Sequence, residues 1–162
     1  MQPSLLCCID PGASGAYVLR RPSGEVVEVG EYSEPNDVVE VAHYLRGVNV
    51  TPGWAVAVIE QVWASPVMGV AAAFKFGENY GAWVMALKVA GVTVYGVTPQ
   101  AWQKVAAAGV TGQGADRKRA LKVLAAERFF ALRPNLKNCD ALLLSDYAVV
   151  QLKAGKALGE KL

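Results

Sequence analysis

Residues 5–17 read LLCCIDPGASGAY, and this stretch decides the fold class. Its first five residues are apolar, as is typical of a strand buried on both faces, and the run ends at Asp10. The proline and glycines that follow are turn residues, so further strands are predicted over residues 16–19 and 25–29. The chain therefore begins with a three-stranded meander that places Asp10 at the end of its first strand.

Strand and helix patterns then alternate along the chain. Residues 55–59, AVAVI, form a second apolar run that ends at Glu60 and predicts a central strand, and residues 92–97 predict another. Helical periodicity predicts the remaining elements, which are helices at residues 37–47, after Trp63, from Thr98, at 116–130 and at 139–152. This order predicts an α/β fold in which helices flank five strands.

The composition is typical of one globular α/β domain. The chain has 162 residues, of which 53% are hydrophobic, so a single domain over residues 1–162 is expected. No apolar stretch reaches the roughly 20 residues that span a bilayer, and the start lacks the basic region of a secretion signal. We therefore expect a cytoplasmic protein whose three cysteines are reduced and buried.

Charge is distributed unevenly along the chain. Residues 1–62 carry a balance of −5 and residues 63–162 a balance of +7, which together give the formal net charge of +2. A basic half can mark a surface that binds a polyanion, or it can be ordinary solvated surface. Charge alone leaves both interpretations open.

Three acidic residues, Asp10, Glu60 and Asp140, each lie at the end of an apolar element. Carboxylates are the ligands that hard cations such as Mg²⁺ and Mn²⁺ prefer, and two such ions can support phosphodiester hydrolysis. From spacing alone, each acid is equally well explained as a helix cap or a surface residue.

The segments around these acids resemble the active-site blocks of RuvC-type Holliday junction resolvases. IDPGASGAY at 9–17 and VIEQVWASP at 58–66 are similar to the first two blocks, and NCDALLLSDYA at 138–148 is similar to the last. The resemblance covers nearly the whole chain. TPQAWQK at 98–104 is most similar to the phage and organellar branches of the family.

The resemblance implies an RNase H-like fold with a central mixed five-stranded sheet. It also implies a homodimeric, Mg²⁺-dependent endonuclease, with Mn²⁺ able to substitute, that nicks opposing strands of four-way DNA junctions. Such an enzyme would act in DNA recombination and repair, in a bacterial cell or a phage-infected host. The implied catalytic metal ligands are Asp10, Glu60 and Asp140.

The sequence departs from the family pattern at one position. Family members commonly carry another acid three or four residues before Asp140, where this chain has Lys137 and Leu136. Asp146 is a possible substitute, although six helical residues place it about 120° around the helix from Asp140. Asn138 is a possible neutral ligand, and Lys137 a possible partner of the scissile phosphate. The alternative function is a junction-binding protein with little or no cleavage.

Candidate DNA contacts are an aromatic residue and a basic row. Trp63 follows Glu60 by three residues, where RuvC proteins commonly carry an aromatic residue that touches bases, although it could equally be a core residue. The basic row could follow a phosphate backbone or form a solvated helix face, and it comprises Lys104, Arg117, Lys118, Arg119 and Lys122.

Two further hypotheses concern association and an alternative class. The apolar helix around residues 77–86 is a candidate dimer surface, although it could equally belong to the core. The DPGASG turn at 10–15 also occurs in ATP-binding modules of the actin and sugar-kinase type. Those proteins close a second lobe over the nucleotide, and 162 residues leave no room for one.

Overall fold

A computed structural model describes residues 2–12, 15–32, 35–49, 51, 53–61, 63 and 68–162. Its elements are β1 (Leu5–Asp10), β2 (Ala16–Arg20), β3 (Val26–Glu31), α1 (Pro35–Val48), β4 (Ala55–Glu60), α2 (Val70–Val89), β5 (Thr93–Val97), α3 (Pro99–Ala106), α4 (Gly114–Arg128), a 3-10 turn (Phe130–Leu132), α5 (Cys139–Lys153) and β6 (Glu160–Lys161).

The strands form one mixed sheet in the order β3-β2-β1-β4-β5-β6. β1, β4 and β5 are parallel, whereas β2, β3 and β6 run antiparallel to their neighbours. Ile9 pairs with Ile59, and Glu60 pairs with Val97. The carboxyl ends of the three parallel strands therefore meet at one edge of the sheet, which confirms the predicted α/β class and the opening meander.

The prediction of five strands was wrong by one. The sixth strand, β6, contains only Glu160 and Lys161, which carry no apolar pattern from which a strand could be predicted. Backbone pairing to β5 forms it, and the amide of Leu162 continues this pairing by donating to the carbonyl of Val94 at 3.0 Å. Main-chain hydrogen bonds at a sheet edge explain this element better than side-chain burial does.

Helices cover both faces of the sheet, which explains the uninterrupted apolar runs of β1 and β4. One core cluster joins Cys7 and Ile59 to α1 and to Trp83 of α2, whereas a second joins Cys8 to Trp102 of α3 and to helices α4 and α5. Successive strand residues point to opposite faces, so the adjacent cysteines enter different cores. All three cysteines are buried free thiols. No described helix is both long and apolar enough to cross a membrane.

Candidate active site

Asp10, Glu60 and Asp140, called the acid cluster below, gather at the carboxyl edge of the sheet. Asp10 ends β1 and Glu60 ends β4, and these two strands are parallel neighbours. Asp140 lies in the first turn of α5, which packs against β1. The fold thus brings together three acids that are distant in sequence.

Burial and mutual repulsion disturb the ionisation of two of these acids. Burial, followed by the charge of Asp140, raises the pKa of Asp10 from 3.8 to about 6. Burial, followed by the charge of Asp10, raises the pKa of Glu60 from 4.5 to about 8. The ionised form of a buried carboxylate beside other negative charges is stabilised by a positive charge nearby.

Lys118 of α4 supplies one such charge. Its ammonium group forms a hydrogen-bonded ion pair with Oδ2 of Asp140 and lies 3.9 Å from Oδ2 of Asp10. Although burial lowers the pKa of Lys118, the charges of Asp140 and Asp10 outweigh it and hold that pKa above its ordinary value. The side chain that we predicted as a DNA phosphate contact therefore points into the acid cluster.

Glu60 is held by a tryptophan to which the sequence analysis assigned no role. The indole N–H of Trp102 donates to Oε1 of Glu60 at 2.7 Å, and both side chains are buried. Trp102 occupies the first turn of α3, where the hydroxyl of Thr98 caps the helix and Pro99 begins it. The Thr-Pro start was the sequence signal that a helix begins directly after β5. The way in which α3 packs on the sheet then determines that the indole of Trp102 faces Glu60.

The backbone of Asp10 and Gly12 is held by a buried tyrosine, Tyr32, whose role was not predicted from the sequence. The hydroxyl of Tyr32 lies within hydrogen-bond distance of two backbone carbonyl oxygens, 2.9 Å from that of Asp10 and 3.0 Å from that of Gly12, and its one proton is shared between these two acceptors. The amide of Gly12 donates to Oδ1 of Asp10 at 3.2 Å. Gly15 is required here, because a Cβ atom would lie 2.0 Å from the Asp10 carbonyl oxygen. The backbone thereby sets the direction of the Asp10 carboxylate.

The chemistry of the acid cluster fits a hard divalent cation, but its present arrangement holds an ammonium group. Three carboxylates of which two have raised pKa values are suitable donors for Mg²⁺ or Mn²⁺. Among the residues that the structure describes, no group of three or more His, Cys, Asp or Glu side chains is arranged to hold a metal ion. The three carboxylates are therefore the right kind of ligand for Mg²⁺ or Mn²⁺, and in this structure the ammonium group of Lys118 lies beside two of them, Asp10 and Asp140.

The candidates for a fourth ligand have other partners. Asp146 forms ion pairs with Arg20 at 2.6 Å and with Arg128 at 3.1 Å. Oδ1 of Asn138 accepts the backbone amide of Asn135 at 2.8 Å within the turn before α5. These contacts account for both side chains without a metal.

Lys137 is exposed and lies 3.6 Å from Oε2 of Glu31, at the end of β3. Glu31 pairs with Ala16, and Ala16 pairs with Asp10 on the neighbouring strand. Lys137 is therefore attached at the same edge of the sheet as the acid cluster, two strands away from Asp10.

The basic row divides into residues that face solvent and residues with internal partners. Lys104 and Lys122 are exposed, as is Arg119, which pairs with Asp116 on the surface at 2.9 Å. Arg117 instead binds Gln103 and a loop carbonyl. Trp63 is 76% exposed, so of its two interpretations the core residue is excluded.

Solved structures share this architecture. RuvC of T. thermophilus in complex with a Holliday junction substrate matches with a TM-score of 0.64 and 19% identity, over 98% of this chain and 99% of that chain. Another structure of Thermus thermophilus RuvC matches with a TM-score of 0.58 and 20% identity, over 98% and 99%. The protein has a RuvC-type fold. At this identity the match establishes the fold alone. No protein-family model matches the sequence, and no curated protein matches it significantly.

The raised pKa of Glu60 predicts that the stability of the protein depends on pH. Because its folded pKa is about 8 and its ordinary value is 4.5, the folded protein binds more protons than the unfolded chain between these limits. The free energy of unfolding should therefore fall as pH rises from about 5 to 8. Urea denaturation in EDTA at both pH values measures this loss.

Glu60→Gln should reduce the pH-dependent loss, because the neutral amide does not titrate. The matched control is Glu25→Gln, because Glu25 is exposed and pairs with Arg21 on the surface at 3.1 Å. Equal pH dependence in the wild type and in Glu60→Gln would show that Glu60 ionises normally.

Proposed function

We propose that this chain is a structure-selective endonuclease that resolves four-way DNA junctions by metal-dependent phosphodiester hydrolysis. The observation that carries the proposal is the acid cluster, which lies at the carboxyl edge of the sheet in a RuvC-type fold. RuvC of T. thermophilus, which shares this fold, is itself bound to a Holliday junction substrate. Branched DNA is therefore the substrate class that the fold and the site favour together.

The residues of the chain have distinct parts in this proposal. Asp10, Glu60 and Asp140 would hold Mg²⁺, or Mn²⁺ in its place. When bound, the cation would activate water for attack on the phosphodiester and stabilise the leaving oxygen. Trp102 orients Glu60, and the Tyr32 hydroxyl braces the backbone that carries Asp10.

The solvent-facing basic residues of α3 and α4 and the exposed Trp63 would bind the DNA. Lys104, Arg119 and Lys122 can neutralise backbone phosphates, and binding would then weaken steeply as salt rises. The exposed indole of Trp63 is three residues from Glu60 and can stack on an unpaired base at the junction centre.

We also propose that the chain acts as a homodimer through α2. Val70, Phe74, Met85 and Val89 of this helix are each at least 60% exposed. A Cβ atom at Gly77 or Gly81 would meet nothing within 4 Å. Glycine weakens a helix, and no neighbour among the residues that the structure describes requires it at these positions. An apolar helix face lined with glycines favours close approach of a second copy, whose two sites would serve the two symmetric cuts of a junction.

Replacing Val89 by Lys should dissociate this dimer. Val89 borders a cavity of about 330 Å³ between α1 and α2, and it is 73% exposed in the single chain. Arg46 lines the same cavity, so the added ammonium group faces a like charge. An unpaired charge in an apolar contact costs at least about 1–2 kcal/mol, so the dimer Kd should rise about tenfold or more. Sedimentation equilibrium measures the change. Val123→Lys, at an exposed valine of α4, is the control and should leave the Kd unchanged.

A second candidate is a junction-binding protein that does not cleave. Two observations favour it. The family's additional acid is replaced by Lys137 or Leu136, and the Lys118 ammonium stands beside Asp10 and Asp140 where a divalent cation would need access. This candidate keeps the DNA-binding surface and omits the reaction.

Incubation with an end-labelled synthetic four-way junction separates the two candidates. The endonuclease should give paired nicks on opposing strands in Mg²⁺ or Mn²⁺ and none in EDTA. A linear duplex that contains the same sequences should remain intact. Tight junction binding without nicks in either metal would overturn the endonuclease and favour the second candidate.

Trp102→Phe tests how the site is supported. The substitution removes the donor to Glu60 but keeps a buried aromatic ring, so Mn²⁺ affinity should fall about 10–100-fold, which is the usual cost of losing a partner of a metal ligand. Isothermal titration calorimetry without DNA measures it. Trp54→Phe is the control, because the half-buried Trp54 immediately precedes β4, at the end of that strand opposite to Glu60. Equal affinity in both variants would show that the Trp102 bond is only structural.

A further inference from the structure

A cavity of about 650 Å³ lies between α3 and the loop that joins α3 to α4. Both charged residues of its lining, Lys104 and Arg117, are basic. Two amide side chains also line it, Gln100 and Gln103, and the rest of the lining is mostly small residues such as Ala108 and Gly112. A pocket whose described lining has cations and amides but no carboxylate favours an anionic ligand that is rich in hydrogen-bond acceptors.

This cavity adjoins the acid cluster through two pairs of consecutive residues. On α3, Trp102 bonds to an acid of the cluster, and the next residue, Gln103, lines the cavity. On α4, Lys118 contacts two acids of the cluster, and the preceding residue, Arg117, lines the cavity. Consecutive helical residues are about 100° apart, so each helix presents one side to the acids and the adjacent side to the cavity.

Arg117 is oriented by three hydrogen bonds within the chain. Nε and Nη2 donate to Oε1 of Gln103 at 3.0 and 2.6 Å, and Nη1 donates to the carbonyl of Val110 at 2.6 Å. These bonds use the edge of the guanidinium group, and its flat faces remain suited to stacking on a nucleobase. Three of the five N–H donors are engaged, including both that form the Nε–Nη2 edge, so a phosphate clamp on that edge would break existing bonds whereas stacking would keep them.

The remaining polar groups of the cavity are predominantly donors. Because Oε1 of Gln103 accepts from Arg117, the amide NH₂ of Gln103 is held in one orientation as a donor. Lys104 is exposed at the rim and has no ion-pair partner among the described residues. A nucleotide would satisfy both groups, because carbonyl oxygens of its base can accept from the Gln103 amide and its phosphate can lie near Lys104 at the rim.

We propose that this cavity binds one unpaired nucleotide of the substrate strand, next to the phosphodiester that the acid cluster would cut. The base stacks on Arg117 and accepts from Gln103, and its phosphate lies near Lys104. Base preference near the cut would then arise at this pocket. The inference rests on the proposed function for the path of the strand, although nucleotide binding in the pocket can be measured without cleavage.

Filling the cavity provides the test. Ala108→Trp places a large side chain in the cavity at an exposed position, and Ala154→Trp, at an exposed alanine near the end of α5, is the matched control. The probes are a labelled single-stranded tetrathymidylate and a four-way junction carrying 2-aminopurine at single positions around the crossover, both in EDTA. Circular dichroism melts check that each variant folds. Lys104→Glu is a second cavity variant should Ala108→Trp fail to fold.

We expect 2-aminopurine fluorescence to change at one position on one side of the crossover in the wild type and in Ala154→Trp. Ala108→Trp should abolish that change and weaken tetrathymidylate binding about tenfold, as expected for the loss of one stacked base. No positional signal in the wild type, or an unchanged signal and affinity in Ala108→Trp, would overturn the proposal.

Nicking assays in Mg²⁺ separate this outcome from the proposed function. If the wild type nicks the junction while Ala108→Trp keeps the fluorescence signal, the pocket is wrong and the nuclease stands. If the wild type does not nick while Ala108→Trp loses the signal, the pocket stands and the nuclease fails.

Discussion

Asp10→Asn should abolish junction nicking while leaving junction binding intact. The substitution removes a negative charge from the acid cluster but retains Oδ1, which can still accept the amide of Gly12 as it does in the wild type at 3.2 Å. The turn and its bond to Tyr32 involve backbone atoms that the change leaves in place. The substitution therefore removes only the negative charge of a proposed metal ligand, and the protein should still fold.

The expected loss of rate is larger than that for any supporting residue. Losing a partner outside the ligand shell typically costs about 10–100-fold, so losing a ligand should cost more than this. Single-turnover nicking in Mg²⁺ measures the rate, and gel shift in EDTA measures binding, which should be equal or tighter because one negative charge near DNA is gone.

A surface acid provides the control for Asp10→Asn. Asp116 is exposed and pairs with Arg119 on the surface, so Asp116→Asn makes the same chemical change outside the acid cluster. It should nick at the wild-type rate. Wild-type nicking by Asp10→Asn would remove Asp10 from the reaction and with it the proposed metal site.

The elements that surround the site could be predicted because their patterns are local. LLCCI and AVAVI are apolar throughout, since both faces of β1 and β4 are covered, and each run stops at an acid. Once both strands are taken as parallel, Asp10 and Glu60 must lie at the same edge. Asp140 lies in the first turn of a helix that packs on β1, so the position of the third acid follows from the same layer architecture.

The supporting contacts could not be predicted because they depend on side-chain direction between distant elements. Trp102 and Tyr32 resemble ordinary core aromatics in the sequence, and only the packing of their elements directs one at Glu60 and the other at the Asp10 turn. Asp146 stood out as an acid, and its pairing with Arg20 joins α5 to β2 across 126 residues. No periodicity encodes such a pair.

The contacts of Lys118 also could not be predicted from the sequence. In the sequence it is one of three consecutive basic residues, Arg117, Lys118 and Arg119, and their order gives no reason to separate them. Around a helix they are about 100° apart, so one reaches a loop carbonyl, one reaches the acid cluster and one faces solvent. The rotation of α4 about its axis decides which of the three can contact DNA.

Lys118→Met should tighten the binding of divalent cations to the DNA-free protein. The ammonium group is the positive charge nearest to Asp10 and Asp140, and a cation that binds these carboxylates must displace it or share them with it. A partly exposed ion pair is worth about 1 kcal/mol, so its removal should raise Mn²⁺ affinity by up to about tenfold. Methionine keeps most of the length of the side chain, which limits the change to the charge.

Isothermal titration with Mn²⁺ measures this affinity, and Lys122→Met is the control. Lys122 lies one turn further along α4 and is exposed, so its removal changes the net charge equally without touching the acids. If both variants bind Mn²⁺ alike, the effect is a general one of net charge. If Lys118→Met binds Mn²⁺ more weakly than the control, the ammonium group supports the bound cation, and the idea that it competes with the cation is wrong. Tighter binding in Lys118→Met alone would mean that the ammonium group of this lysine competes with the divalent cation for Asp10 and Asp140.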